Sequence, residues 1–109
     1  IIGLANATDI FATARRFDAA DALRMGFVSK VCTAAEFDAT IDSYTKMISE
    51  NAPLTVAAAK YNIRQVCAHP EDQDIAGAIR MVEKCFASDD FKEGRNAFLE
   101  KRQAQFKGR

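Results

Sequence analysis

From Phe37 to Phe86 the apolar residues of this chain return every three or four positions, a period that suits an α-helix and no other regular structure. Phe37, Ile41, Tyr44 and Ile48 make one stripe; Val56, Ala59, Ile63 and Val66 make a second; Ile75, Ile79, Val82 and Phe86 make a third. Each predicts a helix that turns one face to a core. The punctuation agrees. Asn51-Ala-Pro53 breaks the first stripe, and Pro53 suits the first turn of the next helix, which runs to about Cys67. Pro70 is expected to open the third, with Glu71 and Asp72 well placed against the helix dipole. Ser88-Asp-Asp90 caps a last helix carrying Phe91 and Phe98 one heptad apart. The tail from Gln103 onward, ending in Phe106-Lys-Gly-Arg109, is expected to be loose.

The first third of the chain reads differently. Ile1 to Thr13 predicts a helix that is apolar on most sides, with only Asn6, Thr8, Asp9 and Thr13 polar. A helix apolar nearly all round expects neighbours on several faces. Together with the absence of Met at position 1, this suggests a cut edge, although a processed start would look the same. Asp18 can cap a short helix running to Met25, and Gly26 sits where left-handed backbone ends helices cheaply. Phe27 to Cys32 alternates and is β-branched, so it reads as a short extended segment. No second strand candidate appears, so it is expected to pair elsewhere or stay irregular. Thr33-Ala-Ala-Glu36 has the form of a capping box ahead of Phe37. The sum is five or six helices with short connections, a mainly α segment treated as one unit over residues 1–109.

Composition narrows the function. A chain of 109 residues can bury roughly two-thirds of its unfolded surface, enough for a modest core. Net charge is zero, so the chain as a whole is not built to attract nucleic acid. Residues 92–109 do carry six bases (Lys92, Arg95, Lys101, Arg102, Lys107, Arg109) against Glu93 and Glu100. That excess can draw phosphate or nucleic acid, but a solvated helix face explains it better, since only Phe98 and Phe106 interleave. Three cysteines with no CxxC pair (Cys32, Cys67, Cys85) speak against a disulfide framework or a zinc site, and a reducing, cytoplasmic setting follows. No apolar run is long enough for a membrane span. Cys67 and His69 lie too close in sequence to share a helix face as a catalytic dyad. Glu71, Asp72 and Asp74 fit no metal-loop spacing and read as helix-start acids, so no metal is expected. Arg15 and Arg16 read as salt-bridged surface.

Three stretches carry a family resemblance. Thr13-Ala-Arg-Arg-Phe-Asp-Ala-Ala-Asp-Ala-Leu-Arg-Met-Gly-Phe-Val-Ser-Lys-Val31 resembles the "T-G-x-R, A-x-x-A, G-L-V-x-x-V" passage of the enoyl-CoA hydratase/isomerase (crotonase) family, with Ala14 where that family usually has glycine. Asn51-Ala-Pro-Leu54 with Ala59-Lys60 is similar to its "P-x-A…K" passage. Ser88-Asp-Asp-Phe-Lys-Glu-Gly-Arg-Asn-Ala-Phe-Leu-Glu-Lys-Arg102 resembles its "S-x-D-x-x-E-G-x-x-A-F-x-E-K-R" close. The likeness covers essentially the whole chain, and its three parts fall in the family's order.

The resemblance implies the helical C-terminal part of the crotonase fold, the complete enzyme being α/β. It implies an acyl-CoA substrate, with hydration of a 2-enoyl-CoA foremost and isomerisation the other possibility. In such enzymes two backbone amides stabilise charge on the thioester oxygen, and one or two carboxylates move the proton. By the same alignment those groups lie before Ile1, so no catalytic residue is expected within this chain, and none of its own turnover. The implied role is assembly of a homo-oligomer, a trimer or dimer of trimers, and closure of the CoA pocket. No cofactor is implied beyond the coenzyme A of the substrate. The family's adenine and 3′-phosphate contacts map onto Phe98 and Lys101. An aromatic plane can stack on adenine, and an ammonium one turn on can meet a phosphate. The plainer reading keeps Phe98 in the core beside Phe91 and Lys101 in solvent. Two other functions fit the residues: a stand-alone helical module that binds acyl-CoA without chemistry, and an interaction protein that uses its basic tail.

Overall fold

Caps and left-handed turns set the ends of six helices. The computed structural model describes all residues, 1–109, as two compact units, Ile1–Ile41 and Asp42–Arg109. There is no strand, and no helix is long and apolar enough to cross a membrane.

In the first unit, α1 spans Gly3–Thr13. Its polar side chains turn back on its own carbonyls: Asn6 donates to Ile2, Thr8 to Leu4 and Thr13 to Asp9. That leaves the apolar residues to form the remaining surface. The helix ends at Ala14, whose φ is 51° and whose N–H donates to Ile10. A left-handed residue there satisfies a last-turn carbonyl, and glycine enters that conformation most cheaply. Arg15 follows and bridges Asp9 (2.6 Å) and Asp21 (3.2 Å), tying α1 to α2. The second helix, α2, spans Ala19–Arg24 and is capped as expected, the Asp18 carboxylate accepting the Asp21 N–H at 2.8 Å.

Gly26, at φ 74°, turns the chain back so that the Phe27 and Val28 amides both donate to the Ala22 carbonyl. The Phe27–Cys32 stretch is therefore irregular. Its first two donors are spent on the helix end, and no ladder partner is at hand. Phe17 and Phe27 meet edge to face at 6.0 Å. Thr33 then gives both its N–H (3.0 Å) and its hydroxyl (2.8 Å) to Glu36, the reach-back arm of the expected box, across a single 3₁₀ turn at Ala34–Glu36.

Helix α3 spans Phe37–Ser49. In the second unit, α4 spans Pro53–Cys67 with Pro53 at its first position, α5 spans Ile75–Ala87 and α6 spans Asp89–Leu99. The α4 and α5 helices pack along one another, and α6 packs on α5. Two expectations need correction. Pro70 opens only a 3₁₀ turn, Pro70–Asp72; the helix proper starts later, where the Asp74 carboxylate accepts the Gly77 N–H at 2.7 Å. The tail is not loose, as described below.

A third correction concerns the core. Phe37, Ile41, Tyr44 and Ile48 are all exposed, as are Ile75, Ile79, Val82 and Phe86. The buried set is Ala22, Met25, Ala58 and Ala97, with Gly77, Ser88 and Asp90, and no large side chain is fully enclosed. Periodicity identified the apolar faces, but these elements do not cover them. Contiguous apolar surface of this kind marks sites of association.

Candidate coenzyme-binding surface and its supports

Two features of the second unit have the makings of a site: the end of α6, and an apolar cleft beside it. The cleft has a volume of about 620 Å³ and lies between α4, α5, α6 and the tail. Ala58, Val82, Phe86, Phe91 and Phe106 form much of its wall. Phe86 and Phe91 meet edge to face at 5.0 Å. Asn62 Oδ1, also on the wall, is buried without a hydrogen-bond partner.

The tail closes one side of this cleft and is fastened by α6. Ser88 caps the helix, its hydroxyl accepting the Phe91 N–H at 3.1 Å. Asp90, only 4% exposed, accepts the Lys107 N–H at 2.6 Å and the Gly108 N–H at 2.7 Å. In return the Asp89 and Asp90 amides donate to the Arg109 carbonyl at 2.8 and 3.1 Å. One turn on, Glu93 accepts the Gln105 N–H at 2.9 Å. The strap is held by four of its backbone groups, which is why the composition of residues 103–109 gave no sign of it.

The same Glu93 binds Arg102 through both oxygens, at 2.5 and 2.9 Å, while Arg102 Nε reaches Glu100 at 2.6 Å. These Arg102 bonds hold the Glu93 carboxyl at a pKa of about 2, and the two glutamates raise the already high pKa of the guanidinium. The basic stretch is thus partly self-neutralised. Lys92 also pairs with Asp89 at 3.0 Å.

Of the two candidate binding residues, Phe98 stands on α6 at 83% exposure. It is not in the core, and Phe91 has Phe86 as its ring partner instead. Lys101 is exposed and lies beyond the end of α6, not on its face. Its φ is 55°, its N–H donates to Phe98 O at 3.3 Å, and the Arg102 N–H donates to Ala97 O at 3.0 Å. That is the paired bonding of a Schellman close with Lys101 in the left-handed position. The two residues are joined through the backbone turn, whereas the sequence suggested successive turns of one helix. Among the other candidates, His69 Nδ1 lies 3.3 Å from Glu71 Oε1, and Asp74 serves as a cap. Arg15 is salt-bridged as expected, whereas Arg16 is exposed and makes no ion pair.

The carboxylates of this chain are largely occupied in structure. Asp18, Asp74 and Asp90 hold backbone amides, and Asp21, Glu93 and Glu100 hold arginines. What remains open is surface: an apolar cleft, a projecting ring and an unpaired ammonium.

The chain is similar along its length to known proteins. The family described as enoyl-CoA hydratase/isomerase matches residues 1–109. The chain is 32% identical over 110 residues to a short-chain-enoyl-CoA hydratase of Clostridium acetobutylicum, covering all of this chain and 42% of that protein. It is 35% identical over 103 residues to an enoyl-CoA hydratase of Mycobacterium tuberculosis, covering 94% of this chain and 39% of the relative. A crystal structure of a probable enoyl-CoA hydratase/isomerase from Mycobacterium abscessus superposes with a TM-score of 0.83 at 31% identity, over 99% of this chain and 42% of that one. The chain therefore spans about two-fifths of the length of the relatives it matches.

Proposed function

The chain belongs to the enoyl-CoA hydratase/isomerase family, and from that premise we propose that it is the helical C-terminal part of an enzyme acting on acyl-CoA thioesters, with hydration of a 2-enoyl-CoA as the reaction. Its task there is to assemble the homo-oligomer, a trimer or a dimer of trimers, and to close the CoA pocket. The observation that carries this reading is the end of α6, where Phe98 projects 83% exposed and Lys101 follows it in a fixed turn without an ion pair. An exposed ring offers a stacking plane for adenine, and a free ammonium offers a point charge for the ribose 3′-phosphate.

The remaining surface fits the same task. The α3 and α5 stripes are wide enough to be covered by other subunits or by the body of the enzyme. Most of the chain's carboxylates are engaged as caps and ion pairs, and the family likeness assigns the proton transfer to groups outside this segment. No cofactor is required beyond the CoA of the substrate. Three free thiols suit a reducing, cytoplasmic compartment.

The test is turnover and its dependence on CoA. An enzyme carrying this segment is expected to consume crotonyl-CoA, followed by loss of its absorbance, while the 109-residue chain alone does not. Phe98→Ala is expected to raise the KM roughly five- to a hundredfold, the range for losing one base–aromatic stack. Saturable CoA binding by the monomeric chain, with no turnover in any assembled form, would point instead to a stand-alone binding module.

A further inference from the structure

Lys101 occupies a backbone conformation that its side chain disfavours. At φ 55° it is the left-handed residue that closes α6, a place where glycine costs least because it has no β-carbon. A residue kept in such a conformation has to be held by its surroundings, and such residues gather where a side chain is used.

The holding contacts are adjacent. Before Lys101, the turn is fixed by its own N–H to Phe98 O and by the Arg102 N–H to Ala97 O. After it, the Arg102 guanidinium is locked through three nitrogens, two on the Glu93 carboxylate and one on Glu100. Glu93 sits on the body of α6 and also takes the Gln105 N–H, so the clasp joins helix, turn and strap. Arg102 is thereby used up as a cation. Lys101, its neighbour, has no carboxylate partner.

We propose that the Glu93–Arg102 clasp is a positioning device for Lys101: Arg102 does not touch the coenzyme but holds the left-handed turn from which Lys101 meets the 3′-phosphate. This deepens the reading given above and rests on it. The division of labour follows from chemistry. A planar guanidinium gives geometric rigidity when both carboxylate oxygens are engaged, whereas an ammonium serves as a mobile point charge for phosphate.

The experiment measures kcat and KM for crotonyl-CoA and for its 3′-dephospho analogue in the assembled enzyme. Arg102→Gln is expected to cut the preference for the phosphorylated substrate by roughly three- to tenfold, the effect falling on KM. Glu93→Gln is expected to act in the same direction, and it supplies the reading if Arg102→Gln fails to fold, since Glu100 still partners Arg102. In a Lys101→Ala background, Arg102→Gln is expected to change the preference no further. Lys101→Gly is expected to raise thermal stability while losing the preference. An undiminished preference in the folded Arg102 or Glu93 variant overturns the clasp's role, as does an equal loss with both substrates. If Lys101→Ala itself keeps the full preference, it is the assignment of Lys101 to the phosphate that falls, and the clasp's role falls with it.

Discussion

Tyr61 on α4 donates its hydroxyl to Asp74 Oδ2 at 2.7 Å, and Gly77 is what lets the two meet. A β-carbon at position 77 would lie 2.0 Å from Asp74 Oδ2 and 2.7 Å from the Tyr61 oxygen. Asp74 caps α5 through the Gly77 N–H, so cap, tyrosine and glycine form one joint between α4 and α5. Glycine within a helix is usually a weakness that alanine repairs by about 1 kcal/mol. Here the sign is expected to reverse. Gly77→Ala should destabilise the chain by roughly 1–3 kcal/mol, the range for forcing a methyl group into occupied space. Urea unfolding of the two proteins measures it, and a gain in stability would show that the joint gives way at little cost.

Acid should act through Glu93. Arg102 and the Gln105 amide lower its carboxyl from 4.5 to about 2. A carboxyl depressed on folding contributes stability that is complete above its unfolded value and is lost as pH falls through the folded one. The contribution of this clasp is therefore expected to fade between about pH 4.5 and 2. In Glu93→Gln that part of the acid limb should flatten. A carboxyl carbon titration by NMR follows the same group directly.

The strap should open when Asp90 loses its acceptors. Asp90→Ala leaves the Lys107 and Gly108 amides without partners. The expected cost is roughly 1–3 kcal/mol for the unpaired groups. Hydrogen exchange at those two amides should quicken sharply while exchange in α4 holds. Unchanged protection at residues 107 and 108 would mean that Phe106 in the cleft, rather than Asp90, holds the strap.

Ala14 offers a gain. It sits at φ 51° with open solvent beyond it. Replacing it with glycine removes the left-handed penalty of roughly 1–2 kcal/mol and gives back part of it as chain entropy. Ala14→Gly is expected to raise stability by about 0.5–1 kcal/mol on those grounds, read as a higher Tm.

What the sequence disclosed and what it hid follow from where each signal resides. Asp18, Pro53 and Ser88 announce helix starts because their chemistry acts within three residues, and the structure has them there. Asp74 was hidden behind Pro70-Glu-Asp72, a sequence that makes an equally good start for the short 3₁₀ turn it forms. The α3 and α5 stripes were legible as faces but not as surface, since spacing names the apolar side of a helix and not what lies opposite. The candidate pair, Phe98 and Lys101, was legible only through family likeness. Its geometry was not, because nothing in a lysine's identity indicates a left-handed backbone. The Glu93–Arg102 pair spans nine residues across a turn, and the strap is held by backbone amides, which leave no mark on residue choice.

The most direct measurement is calorimetric titration of the assembled protein with CoA and with 3′-dephospho-CoA, before and after Lys101→Ala. The expected result is tighter binding of CoA than of the dephospho form in the parent protein, with the two becoming equal in the variant. Equal affinities in the parent, or a preference that survives the substitution, would contradict the assignment of the α6 terminus to the coenzyme.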